Sequence, residues 1–236
     1  MLPSTSAVRE YRKQVDDNIA IYILQFYSLA DAILEEAASP AALINDTTIR
    51  NIISSVLADM DQAGQLTSFA PMIEKPGFIS VLVDWLREMK SQGIHPETYQ
   101  AYVDLNTTNS DSQLAAFYTR YQRTLQAKGF ADPDGRLWLA AEAMEKEPEL
   151  FVHKSPLYVL GHDQFTPVEL RILQSLANRF ESMTIYLPWS AARDEDDLAL
   201  TRLRDTLEAL RNHLDLEVQT SPQNPRADPA LTHLRN

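Results

Sequence analysis

The chain reads as an α/β protein in which a parallel sheet is divided by an inserted all-helical segment. Three observations carry this reading. Short β-branched and aromatic runs at residues 19–26 (IAIYILQF), 157–160 (LYVL) and 183–187 (MTIYL) have strand composition. Stretches of helical periodicity follow them, the alternation expected of a parallel α/β layer. Between residues 45 and 149 the strand-like runs give way to amphipathic helices.

Taken in order, residues 6–16 have helical composition, with Ser4 or Thr5 as the capping hydroxyl. Residues 19–26 form a short, mostly buried strand, and residues 28–38 return to a helical pattern with Leu29, Ile33 and Leu34 on one face. Asp46 or Thr47 caps a helix whose apolar side carries Ile49, Ile52, Ile53, Val56, Leu57 and Met60, and Gly64 ends it. Lys75-Pro76-Gly77 is a turn before a helix over residues 78–92, where Val81, Leu82, Trp85, Leu86 and Met89 form a buried stripe. Gly93 closes that helix, and Pro96 suits the first turn of a short successor. Ser110 or Asp111 opens a long helix to residue 127, with Leu114, Phe117, Tyr118, Tyr121 and Leu125 inward and Gly129 as its stop. The tyrosines, Tyr99 included, fit a helical core with hydroxyls at its rim. Asp132-Pro133-Asp134-Gly135 reads as a turn, followed by a helix over residues 137–146.

The α/β pattern then resumes. After the strand at 157–160, Thr166 caps and Pro167 starts a helix to about residue 180, burying Leu170, Leu173, Leu176 and Ala177. Pro188 stops the strand at 183–187. Residues 194–214 form a helix that starts acidic and ends with Arg211 and His213, as the helix dipole favours. Beyond residue 216 come three prolines and few apolar residues, a linker or tail. The expected division is 1–38 with 151–216 as the α/β part, 39–150 as the helical insertion and 217–236 as the linker. Periodicity alone does not separate an insertion from a free-standing helical bundle that binds a partner protein.

The 236 residues suffice for two domains. A formal net charge of −12 repels nucleic acid on average, because affinity for phosphate comes mainly from Lys and Arg. The notable basic cluster, Arg9, Arg12 and Lys13, suits a solvated helix face. No apolar run reaches bilayer length and no signal peptide is recognisable, so we expect a cytoplasmic protein without membrane contact. With no cysteine, disulfides and thiolate metal sites are excluded, and the five histidines lack metal-ligand spacing. The acidic run at residues 194–197 is explained by its place at a helix start. Trp85 and Trp138 fall on apolar helix faces, whereas Trp189 follows a strand end and Pro188.

Three segments carry functional information. Leu2-Pro3-Ser4-Thr5-Ser6-Ala7-Val8-Arg9-Glu10 is a small, hydroxyl-rich stretch before a helix. Gln25-Phe26-Tyr27-Ser28-Leu29-Ala30 lies where strand composition gives way to helix. Leu157-Tyr158-Val159-Leu160-Gly161-His162-Asp163-Gln164-Phe165-Thr166-Pro167 runs from strand through polar loop into helix. In order and spacing these resemble motifs Ia, Ib and II of superfamily 1 helicases. The likeness is closer to the AddB-type, RecB-related family within the bacterial ATP-dependent helicase–deoxyribonucleases. That family tends to carry a degenerate Gly-Phe-Asp-Asp-Phe-Thr-Pro at motif II. In the second segment Gln25 replaces the family's Thr and Tyr27 its His.

The resemblance implies a partial RecA-like (P-loop NTPase-type) fold beginning inside the first motor-like domain. It implies that Ser4, Thr5, Ser6, Tyr27 and Ser28, with Arg9 and Arg12 secondary, face single-stranded DNA, where a helix N-terminus and backbone N–H groups suit a phosphate. It also implies a degenerate Walker B region at Leu160, Gly161, His162, Asp163 and Gln164. An active helicase holds Mg²⁺ and orients water there with Asp and Glu; Leu160 and Gly161 can do neither. No Gly-x-x-x-x-Gly-Lys-Ser/Thr loop occurs, and no Asp/Glu-x-Lys strand pair suggests a nuclease site. We therefore expect no catalytic or metal-binding residue in this chain, with ATP and Mg²⁺ acting only in a complete complex. The implied role is a motor-dead segment of an enzyme that processes DNA double-strand breaks for recombinational repair. It would guide single-stranded DNA, weakly when alone, and contact a partner helicase–nuclease subunit. The alternative is a helical protein-interaction module with no nucleic-acid function. An enzyme using His162 and Asp163 would require an enclosed pocket around Gly161; a simpler role for Asp163 is backbone hydrogen bonding ahead of Thr166-Pro167.

Overall fold

The computed structural model describes residues 6, 9, 24–39, 41–75, 77–105, 108–187 and 198–219, with side chains from residue 201 in the last stretch. It is mixed α/β and mostly helical, with two small parallel two-stranded sheets. Two compact units are present: Met1–Ala37 with Ala140–Asn236, and Ala38–Leu139.

Helix α1 spans Phe26–Glu36 in the first unit. Phe26 is thus helical rather than the end of a strand, a correction to the expectation for residues 19–26; residues 19–23 lie outside the described residues. The reason is local. Phe26, Leu29, Ala30, Ile33 and Leu34 are all buried, and their spacing is that of one helix face. Gln25 is extended, and its carbonyl accepts the Leu29 N–H at 2.8 Å.

The second unit contains β1 (Ala42–Leu43), α2 (Asp46–Gln62), α3 (Phe78–Ser91), α4 (Pro96–Leu105), α5 (Asn109–Lys128) and β2 (Phe130–Ala131), and α6 (Pro133–Lys146) begins in it. It is not all-helical. Ala42 and Leu43 pair in parallel with Phe130 and Ala131, a bridge too short to leave a periodicity in the sequence. Asn45 caps α2, its Oδ1 accepting the Thr48 N–H at 2.9 Å, one residue before the expected cap. Helix α3 buries Phe78, Leu82, Val83, Leu86 and Lys90. Val81, expected in that stripe, is 62 % exposed because the buried row follows the i, i+4 ridge from Phe78. Helix α5 buries Phe117, Tyr118, Tyr121 and Leu125 and packs against α2 and α4.

The expected turn at residues 132–135 is the capped first turn of α6. Asp132 Oδ1 accepts the Gly135 N–H at 2.7 Å, and Pro133 suits the first helical position, where no N–H is needed. The same carboxylate anchors a buried network. Asp132 Oδ2 accepts from Lys90 Nζ at 2.6 Å and from the Tyr121 hydroxyl at 2.8 Å. The Trp138 indole N–H donates to the Lys90 carbonyl at 2.6 Å, and Lys90 Nζ lies 5.2 Å and 5.5 Å from the Tyr121 and Trp138 ring centroids. Burial, with the Asp132 charge adding to it, pushes the Tyr121 phenol far above its ordinary pKa. The Tyr121 hydroxyl is therefore interior, not at a rim. A side chain at Gly135 would put Cβ 2.8 Å from Asp132 Oδ1, which explains the glycine inside a helix.

In the first unit β3 (His153–Leu160) pairs in parallel with β4 (Phe180–Tyr186), from His153↔Phe180 to Leu160↔Tyr186, with an irregularity between His153 and Pro156. Both strands begin earlier than their apolar runs, since the His153 N–H donates to the Arg179 carbonyl at 2.8 Å. Helix α7 (Pro167–Ala177) packs against β4 and against α8 (Leu198–His213). The buried Arg179 guanidinium gathers carbonyls at two helix ends: Met144, Glu147 and Leu150 at and beyond the end of α6, and Ser175 of α7. Phe151 is left-handed (φ 61), and its N–H is held by Glu36 Oε1 at 2.7 Å.

Candidate functional site

Strand β3 ends buried, at Val159 and Leu160, and Gly161 (φ 76) then turns the chain through a left-handed conformation that favours glycine. His162 drops back under the loop and is 9 % exposed. Its ring stacks on Phe165 at 5.2 Å between centroids and meets Phe26, the first residue of α1, edge-on at 5.3 Å. Phe26 and Phe165 also meet edge-on at 6.2 Å. Such ring pairs are favourable beyond the area they bury.

Two further anchors hold the loop. The Thr206 hydroxyl of α8 donates to the Asp163 carbonyl at 2.6 Å, shared with the Arg202 carbonyl at 2.8 Å. Thr166 and Glu169 form a capping box: Thr166 Oγ1 accepts the Glu169 N–H at 3.3 Å, and Glu169 Oε2 accepts the Thr166 N–H at 2.8 Å. The expected roles of Thr166 as cap and Pro167 as first helical residue are met.

The cage leaves His162 Nε2 buried without a hydrogen-bond partner. Burial holds the imidazole neutral and pushes its pKa down to about 4, against a weaker upward pull from Asp163. Around it Tyr27 (48 % exposed), Ser28, Gly161, Asp163 and Gln164 face solvent. An enzyme built on His162 and Asp163 needed an enclosed pocket at Gly161; among the described residues the loop is exposed and His162 is committed to ring packing.

The structure thus joins Phe26-Tyr27-Ser28 to the loop from Leu160 to Gln164 through one aromatic cluster. Ser6 and Arg9 are helical and exposed. Ser4, Thr5, Arg12 and Trp189 lie outside the described residues. Leu160 has a buried aliphatic side chain and Gly161 has none, so neither side chain offers Mg²⁺ an oxygen ligand. Among the described residues no group of three or more His, Asp or Glu could hold a metal ion, and no helix is long and apolar enough to cross a membrane. Sequence reasoning missed the clamping roles of Phe26 and Phe165, whose only signal was aromatic character beside a motif. It also missed Arg179, signalled by a basic residue just past a helix end.

Comparison with known proteins follows the same line. The family model described as ADDB, N-terminal matches residues 10–234. The B subunit of the ATP-dependent helicase/deoxyribonuclease from Natranaerobius thermophilus is 25 % identical over 250 residues, covering 94 % of this chain and 21 % of that protein. Proteins of the same name from Listeria innocua and Clostridium tetani are each 25 % identical over 70 % of this chain, covering 14 % and 15 % of their own lengths. The chain thus spans about a fifth or less of the curated relatives it matches. A match of this extent means that the chain belongs to the AddB N-terminal family.

Proposed function

We propose that this chain is the motor-dead, helicase-like part of an AddB-type helicase–deoxyribonuclease protein that processes DNA double-strand breaks for recombinational repair in the cytoplasm. Its task is to guide single-stranded DNA and to contact the partner motor subunit. ATP and Mg²⁺ act elsewhere in the complete complex, since Leu160 and Gly161 cannot hold the metal. The β3–β4 pair belongs to a larger RecA-like parallel sheet, interrupted in the sequence by the helical unit. A two-stranded parallel pair is less than such sheets normally contain.

The observation that carries the reading is the contact between Phe26 of α1 and His162 and Phe165 after β3. Two segments that resemble DNA-facing and nucleotide-site motifs of one motor domain are neighbours. Tyr27 and Ser28 are exposed beside them, and the first turn of α1 carries no acidic residue to repel a phosphate.

The test is a salt titration with labelled single-stranded DNA. Binding should be weak, fall as salt rises, and fall further in Ser28→Glu and Arg9→Glu. No binding by the wild-type chain at low salt would remove the reading. The alternative, a protein-interaction module, has an observation of its own: the helical unit exposes Val81, Tyr102 (60 %) and Leu105 (84 %). Absence of DNA binding together with tight capture of an unrelated protein would favour it.

A further inference from the structure

We propose that His162 is a positioning residue. Its ring, wedged between Phe26 and Phe165, aligns the first turn of α1 with the loop after β3, so that Tyr27, Ser28 and Gln164 act as one DNA-contacting surface. The inference rests on the single-stranded DNA reading and extends it to the exposed Gln164.

Four observations support it. The ring contacts of 5.3 Å, 6.2 Å and 5.2 Å close a three-membered cluster whose members come from α1 and from the loop. Phe26 immediately precedes Tyr27 and Ser28 in α1, and Phe165 immediately follows Gln164, so each outward-facing side chain has a clamped neighbour. The loop is pinned independently at Asp163 by Thr206 and at Thr166 by its capping box. The His162 ring adds the contact from this loop to Phe26 of α1. Finally, Nε2 has no partner. The ring contacts to Phe26 and Phe165 thus carry the role, and a ring without nitrogen should perform the same task.

The test uses the whole chain and three variants: His162→Ala, His162→Leu and His162→Phe. Two quantities are measured, affinity for a labelled oligothymidylate at low salt and amide hydrogen exchange at residues 27–30 without DNA. His162→Ala and His162→Leu should weaken binding at least about fivefold, the low end for losing one stacking or hydrogen-bonding contact. They should also speed exchange in the first turn of α1. His162→Phe should restore both to within about twofold of wild type. Leucine keeps apolar volume without a ring, so it carries the test if the alanine variant unfolds. Wild-type affinity and exchange in His162→Leu, or failure of His162→Phe to restore them, would overturn the proposal. If the wild-type chain binds no DNA, the functional reading fails and Gln164 loses its assigned role with it. Exchange then still reports whether His162 positions α1, separating the two failures.

Discussion

Replacing Lys90 with methionine would remove a charge from the interior while keeping most of the side chain's volume. Lys90 is 1 % exposed, and Nζ sits 2.6 Å from Asp132 Oδ2. The pair lies between the last turn of α3 and the start of α6, so each charge also has the sign its helix end favours. Methionine retains contact with the Tyr121 and Trp138 rings but leaves Asp132 buried without its cation. Breaking a buried pair from one side costs about 3–5 kcal/mol. Asp132 keeps two hydrogen bonds, from Tyr121 and from the Gly135 N–H, so the lower end, about 3 kcal/mol, is expected. The surface pair between Arg171 and Glu145 is the control. Its partners are 29 % and 45 % exposed, and Arg171→Met should cost under about 1 kcal/mol. Urea unfolding followed by tryptophan fluorescence reads the difference, because Trp138 is itself in the network. Lys90→Met with Asp132→Asn should recover much of the loss, since no unpaired charge remains. A cost below about 1 kcal/mol for Lys90→Met alone would refute the claim that the pair is tightly coupled.

Two further outcomes follow from the first unit. His162 is held neutral, with a folded pKa of about 4 against an ordinary 6.5. The unfolded chain therefore binds the proton first, and stability should be constant above pH 6.5 and fall as pH drops from 6.5 toward 4. The full shift is worth ~3 kcal/mol; beside an exposed loop we expect about half of that, and His162→Phe should remove this component from a pH series of thermal melts. Arg179→Lys keeps the charge but cannot reach the carbonyls of Met144, Glu147, Leu150 and Ser175 together. It should destabilise by about 3 kcal/mol in chemical denaturation, and a loss no larger than that of an exposed arginine would count against the clamp.

Much of this was legible because it is local. The apolar row from Ile52 to Met60, the stop at Gly129 and the Thr166-Pro167 start of α7 each depend on residues within about one helical turn. That Leu160 and Gly161 carry no side-chain oxygen was equally legible, because identity alone decides it. The errors arose where one local signal admitted two structures. The β-branched and aromatic run through Phe26 fits a strand by composition, while Phe26, Leu29, Ala30 and Ile33 fit a helix by spacing, and burial selected the helix from Phe26 onward. Asp132-Pro133-Asp134-Gly135 has the composition of a turn and also of a capped helix start; the buried Lys90 and the Gly135 N–H favoured the second.

Local residue order dictated the helical segments, the lack of a side-chain oxygen at Leu160 and Gly161, and the resemblance that pointed to the family. It took folding to clamp His162 against Phe26, to set Asp132 beside Lys90 and to bring Arg179 to two helix ends. Capping and periodicity are written within a few residues of one another. A ring cage, a buried ion pair and a shared guanidinium join residues far apart in the chain, and they acquire their energy only when folding removes them from water and brings them within hydrogen-bonding or ring-packing distance.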